Sequence, residues 1–322
     1  MKYFFDILIL ILIAISTIPA FIIFRHRRNS VKSWEHKHKI ASLSIALLLA
    51  FGATIVIYGS FVEPRFLIVK QEKIDLEKIT APIKIAILAD IQVGPYKQTE
   101  YAEKAVNKIL SLNPDIVFLA GDHINNSGDN IDETKYLKPL EKLARAVPVF
   151  AVHGNHEYGV SDDASFFDPK YRLPDLSDNV KSKMEEMGIK YLVNEKKEIE
   201  INGQKMYIFG GDSFWAQKLD LRPLAKNEKS LATIALIHNP AAIFSASGYD
   251  IDMMVAGHTH GGQIRLPLLG PVFTVDNVIP RSWHSGWVEY SGMNMYVTSG
   301  AGETGPRSRL LTPPEIVLLT VY

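Results

Sequence analysis

Two long stretches near the N-terminus carry no charge, and they constrain this chain more than any other feature. Ile7 to Phe24 runs for 18 residues and Ile40 to Val62 for 23. As helices at about 1.5 Å per residue they reach roughly 27 and 34 Å, enough for a hydrocarbon core of about 30 Å. A cleaved signal peptide fits the first run poorly: the apolar core is too long, and Phe24-Arg25 offers no small-residue cleavage site. Two transmembrane helices are therefore expected, at about 7–24 and 40–62, within a membrane anchor spanning residues 1–66. The loop Arg25 to Lys39 holds six Lys/Arg and a single acid, Glu35. Short basic loops stay cytoplasmic, so the chain after Val62 is expected on the extracytoplasmic face of the cell membrane. Pro64 cannot continue the second helix, and Arg65 falls at headgroup depth. The lipid bilayer is the first expected partner.

The remaining composition excludes several classes. There is no cysteine, which removes disulfide frameworks, thiolate zinc sites and thiol nucleophiles. The balanced total of 35 basic and 35 acidic side chains hides a split: residues 1–66 carry a net +5, the rest a net −5. An acidic domain is poorly suited to the basic surface that nucleic acid requires, so no nucleic-acid partner is expected. No protein partner can be inferred.

Residues 67–82 read as a linker, and residues 83–322 as a folded domain. Ile83 to Leu88, Ile116 to Leu119 and Val147 to Val152 are near-continuous apolar strands. Between them, Thr99 to Leu110 and Thr134 to Arg145 place apolar residues at three- and four-residue spacing, the period of helices. Such alternation means an α/β fold whose strands are covered on both faces. Further on, Asn202-Gly203 marks a hairpin between Glu198–Ile201 and Lys205–Phe209. Leu231–Ile237, Asp252–Ala256, Met295–Thr298 and Ile316–Val321 read as further strands. Val160 to Asp178 reads as a long surface loop.

Strand after strand ends in Asp, Asn or His, which gathers metal-binding side chains at one sheet edge, where ligands of open α/β sheets sit. Five segments carry this: Asp90-Ile91-Gln92, Gly121-Asp122-His123, Gly154-Asn155-His156-Glu157, Ile237-His238-Asn239 and Gly257-His258-Thr259-His260. In this order they resemble the calcineurin-like metallophosphoesterase superfamily. The resemblance implies a four-layer α/β/β/α sandwich and a centre of two divalent metal ions. By position, Asp90 and His260 would hold the first metal, Asp122 would bridge both, and Asn155, His238 and His258 would complete the second. Carboxylate, amide and imidazole ligands suit Mn²⁺, Mg²⁺, Fe or Zn²⁺. Glycines 121, 154 and 257 are expected to let the backbone turn sharply. His156 corresponds to the family's catalytic histidine, placed to protonate a leaving oxygen.

The family usually has His where this chain has Gln92, a harder and weaker ligand. Manganese-dependent ADP-ribose/CDP-alcohol diphosphatases look similar here. The run Gly257 to Pro267 and the tail Pro313-Pro314-Glu315-Ile316 resemble a membrane-associated bacterial phosphodiesterase branch, some of whose members are described as UDP-2,3-diacylglucosamine hydrolases. Together these imply a membrane-anchored phosphodiesterase or pyrophosphatase, with a lipid-linked or nucleotide phosphate ester as substrate. Two alternatives stand beside it: a phosphatase of soluble phosphomonoesters, and a catalytically weak scaffold or sensor. His123, Arg307 and Arg309 are candidate substrate contacts. His153 and His284 read as structural.

Overall fold

A computed structural model describes residues 4–128, 131–226 and 230–322. The chain opens with α1 (Phe4–Asn29), a one-turn α2 (Trp34–Lys37) and α3 (Lys39–Ile57). Both α1 and the helical run that begins with α3 and ends at Arg65 are long and apolar enough to cross a membrane. Their large apolar side chains are mostly exposed, among them Phe21, Ile40 and Leu48. The helical path goes on past Ile57 through a widened turn and a final 3-10 turn at Glu63–Arg65.

The first sheet is built from β1 (Ile68–Ile74), β2 (Ile83–Leu88), β3 (Ile116–Ala120), β4 (Val149–Val152) and β5 (Lys190–Tyr191). The second takes β6 (Glu195–Ile201), β7 (Gln204–Gly210), β8 (Ala232–Leu236) and β9 (Met253–Ala256). A two-stranded hairpin follows, β10 (Arg265–Leu266) and β11 (Gly270–Pro271). Then β12 (Gly286–Tyr290) and β13 (Met293–Val297) extend the second sheet, and β14 (Glu315–Val321) returns to the first. The orders are β1-β14-β2-β3-β4-β5 and β12-β13-β9-β8-β7-β6.

Side-chain alternation makes the layers. Ile83, Ile85 and Ile87 of β2 meet Met206, Ile234 and Val255 of the second sheet, while Ala86 and Leu88 face helices. On that outer face lie α4 (Thr99–Ser111), α5 (Glu141–Ala146) and, past α6 (Asp163–Phe167), α7 (Ser177–Glu186). Ala102, Ala105, Val106 and Ile109 of α4 form its buried stripe. The second sheet's outer face is covered by the single-turn α8 (Ile243–Ala246) and a 3-10 segment around Leu224. The α/β/β/α sandwich is present, with one helical layer thinner than the other.

Three local expectations change. Residues 67–82 are not a linker: β1 pairs in parallel with β14 from Ile68↔Glu315 to Ile74↔Val321. Its sequence, Ile-Val-Lys-Gln-Glu-Lys-Ile, alternates weakly because it is a half-exposed edge strand. The Thr134–Arg145 helix is a 3-10 segment at Glu133–Leu140 before α5, since Pro139 removes an amide donor from the ladder. The loop 160–178 contains α6, whose Asp162 and Ser165 form a reciprocal capping box.

The two apolar helices are welded to the domain. Arg309 donates its amide to the Gly59 carbonyl at 2.8 Å, and the Ser60 and Ser308 hydroxyls are 2.8 Å apart. The buried Glu63 carboxylate accepts the amides of Leu311 and Thr312 at 3.0 and 2.6 Å. At the other helix, Asp6 lies 3.0 Å from Arg307 and accepts the Tyr96 hydroxyl at 3.0 Å.

Candidate metal centre

Strands β2, β3 and β4 run parallel, as do β8 and β9, so residues just past their C-terminal ends share one edge. Asp90 follows β2, Asp122 follows β3, Asn155 follows β4, His238 follows β8, and His258 with His260 follow β9. All six are buried, as is Gln92. Face-to-face packing of the sheets brings the first three against the last three. Asp122 Oδ2 lies 3.1 Å from His238 Nε2, and Asp90 Oδ1 lies 3.8 Å from His238 Nε2 and 3.7 Å from His260 Nε2. One ligand atom each from Asp122, His238 and His258 falls within a mutual 4.8 Å.

The backbone is bent to achieve this. Asp90, Gln92, Asp122, His258 and His260 all have positive φ, from 43° to 69°. Each such non-glycine residue costs about 1–2 kcal/mol, a strain that surrounding structure must hold in place. Gly154 and Gly257 play a different part from the one expected. Their φ values are ordinary; what they provide is room. A Cβ on Gly257 would sit 2.5 Å from Asp90 Oδ2, and one on Gly154 would collide with the Asp122 carboxylate.

Charges reinforce the cluster. Burial opposes ionisation of Asp122, yet the His238 and His156 rings outweigh it and hold its carboxyl well below the usual range. Asp90 moves the other way: burial pushes it up, and the nearby Asp122 adds to that. Burial also works against charge on His238, but Asp122 beside it wins and raises the imidazole. His258 and His260 are held neutral by burial.

This arrangement fits divalent cations on a specific observation. The Gln92 amide oxygen and nitrogen and His258 Nε2 are buried with no hydrogen-bond partner, and the buried Asp122 Oδ2 and His238 Nε2 meet only in their mutual 3.1 Å contact. Orphaned groups of this kind are costly unless something binds them. Meanwhile the opposite ring nitrogens are tied down: His238 Nδ1 to the Ala120 carbonyl at 2.6 Å and His258 Nδ1 to Asn155 Oδ1 at 2.9 Å. His260 Nδ1 faces the Gly302 carbonyl at 3.3 Å. Fixing Nδ1 in this way orients Nε2 as a metal ligand.

His156 joins this cluster to a cleft of about 740 Å³ also lined by Tyr96, Trp215, Ile264 and Arg307. Its amide donates to Asp122 Oδ1 at 2.9 Å, its Nδ1 meets the Asn125 carbonyl at 2.7 Å, and Nε2 lies 3.9 Å from Asp122 Oδ2.

Two candidate substrate contacts are corrected. His123 is buried, with Nε2 3.0 Å from the Val152 carbonyl and its ring edge-on to Tyr191. Arg309 is fully buried and donates to the carbonyls of Ser299 and Thr312 at 2.8 and 3.0 Å, and also to Gly302. It braces the loop behind Asp90 and His260 and has no free face for phosphate. Arg307 does line the cleft, packed over the Tyr96 ring and paired with Asp6. His153 sits in the core, its Nδ1 2.9 Å from the Tyr191 hydroxyl, and is pushed down to about 3 by burial. Glu157, not singled out from sequence, is fully buried and accepts the amides of His123 and Gly154 at 2.6 and 2.8 Å. Its place in the Gly-Asn-His-Glu motif was the available signal.

Two packed mixed sheets with buried carboxylates and imidazoles at their shared edge form a candidate metal centre, and the family match makes the chain a metal-dependent phosphoester hydrolase. The chain belongs to the calcineurin-like phosphoesterase family, whose model matches residues 83–262. It is 26% identical over 277 residues to phosphodiesterase YaeI of Escherichia coli K12, covering 86% of this chain and 94% of that one. It is 30% identical over 262 residues to an uncharacterised metallophosphoesterase of Helicobacter pylori J99, covering 78% of this chain and 63% of the relative's length. Among solved structures, a phosphopantetheinyl hydrolase from Mycobacterium tuberculosis aligns with 73% of this chain and 98% of its own, at 15% identity and a TM-score of 0.41.

Proposed function

We propose that this protein is a membrane-anchored, dinuclear-metal phosphodiesterase that cleaves a phosphodiester or diphosphate on the extracytoplasmic side. The observation that carries this reading is the convergence of orphaned, buried ligand atoms from both sheets beside His156. Asp90, Gln92 and His260 would hold one cation, Asn155, His238 and His258 the other, with Asp122 shared. When bound, the cations supply positive charge for the phosphoryl oxygens and lower the pKa of water. The chain's own part is orientation and proton delivery. The Asn125 carbonyl fixes the His156 ring so that Nε2 points toward the cluster, where it can give a proton to the departing oxygen.

The purified full chain, loaded with Mn²⁺, should hydrolyse an aryl phosphodiester faster than the matching monoester, and chelation should stop both. Preference for the monoester would favour the phosphatase alternative. A metal-loaded chain that turns over neither would be a scaffold.

Orientation rests on the basic loop 25–39. A reporter fused after Tyr322 should behave as extracytoplasmic, and one placed between Arg28 and Val31 as cytoplasmic. Protection of the C-terminal domain from protease in intact spheroplasts would reverse the assignment.

Gln92 leaves the first site with oxygen ligands and one imidazole, which suits Mn²⁺ or Mg²⁺, whereas the second has two imidazoles. Gln92→His should tighten the first site and shift it toward Zn²⁺ or Fe, as read by metal titration of both variants. Identical titrations would leave Gln92 without direct contact to the metal.

A further inference from the structure

We propose that the β10–β11 hairpin dips into the same membrane leaflet that α1 and α3 enter, so that the catalytic cleft opens at headgroup depth. Residues 266–273, Leu-Pro-Leu-Leu-Gly-Pro-Val-Phe, contain no charge. Leu268 at the tip is completely exposed, Leu269 is 74% exposed and Phe273 69%. Large apolar side chains so fully presented on a hairpin tip mark a surface that something apolar covers.

Continuity with the membrane helices identifies what covers it. The base of the hairpin is tied to the segment that meets the end of the second spanning helix: Arg265 donates its amide to the Leu310 carbonyl at 2.9 Å, and Arg309 donates to Gly59 at 2.8 Å. Leu311 and Phe66, both more than half exposed, extend the apolar rim at this junction. On the other side, Phe4 and Phe5 of α1 share the cleft wall with Ile264 and Phe273 from the base of the hairpin. The hairpin thus rises where two membrane helices leave the bilayer, beside the cleft that His156 lines. A leucine pair there lies within reach of the acyl boundary, as the apolar face of an interfacial element does.

The inference rests on α1 and α3 spanning the bilayer, so the test carries a control for that reading. The chain has no cysteine of its own, which permits single labels. Leu268→Cys, Leu48→Cys and Glu200→Cys variants of the full chain, each carrying an environment-sensitive fluorophore, are reconstituted in nanodiscs with or without nitroxide-bearing lipids. Leu48 is exposed on α3, and Glu200 is exposed on β6, near the sheet edge opposite the metal centre. The labels at 268 and 48 should be blue-shifted and strongly quenched by the nitroxide lipid, and the label at 200 should be neither. A label at 268 that behaves like the one at 200, with 48 quenched, would overturn the hairpin proposal alone. Loss of quenching at 48 as well would remove the anchor reading and the proposal with it. A response at 268 to added unlabelled protein rather than to lipid would assign the hairpin to a contact between copies and likewise overturn the proposal.

Discussion

Asp122→Ala should abolish hydrolysis and empty the metal centre, because this carboxylate is the group common to both candidate ligand sets. The expected fall in kcat/KM is at least about 10³-fold, equivalent to about 4 kcal/mol of lost transition-state stabilisation. The more conservative Asp122→Asn separates chemistry from folding, since the amide can still accept the His156 backbone N–H that now reaches Oδ1 at 2.9 Å. Metal analysis after dialysis should find fewer than two ions per chain in either variant. A variant that keeps two ions and works within tenfold of the parent would show that Asp122 does not bridge.

His156→Ala should do something different: leave metal content intact while cutting turnover by roughly 10²–10⁴-fold, the range for removal of a general acid. The loss should depend on the leaving group. A nitrophenolate departs without help and should hide most of the effect, whereas an alkoxide needs the proton and should reveal it. The geometry favours this separation, since the hydrogen bond from His156 to Asp122 is made by its amide, which alanine keeps, while its ring lines the cleft with Nε2 3.9 Å from Asp122 Oδ2. Full activity on an alkyl diester would end the assignment.

Much of this site was legible because ligand chemistry is local. An Asp, Asn or His placed directly after an apolar strand announces itself by residue type and position, and five such strand ends give the candidate ligands without any knowledge of packing. What those residues become is less local. Arg309 follows a glycine-rich turn and looks like a phosphate contact in sequence; only its complete burial among backbone carbonyls shows it to be a brace. His123 has the same history, decided by the Val152 carbonyl. Neither outcome leaves a periodic trace.

The α/β alternation, the two apolar spans, the edge of the sheet where chemistry gathers and the order of the candidate ligands are all readable from residue order alone. These follow from period, charge and residue type within windows of a few residues. Tertiary structure decided the rest. It drew β1 out of an apparent linker, because an edge strand with three charges is recognisable only beside its partner β14. It bent five candidate ligand positions into positive φ, a cost no propensity scale assigns to Asp, Gln or His and one that only the closed sandwich can sustain. It also fastened residues 59–63 to residues 308–312. Periodicity reports that a residue is buried or exposed but never which distant segment meets it, and that pairing is what sets the cleft against the two apolar helices.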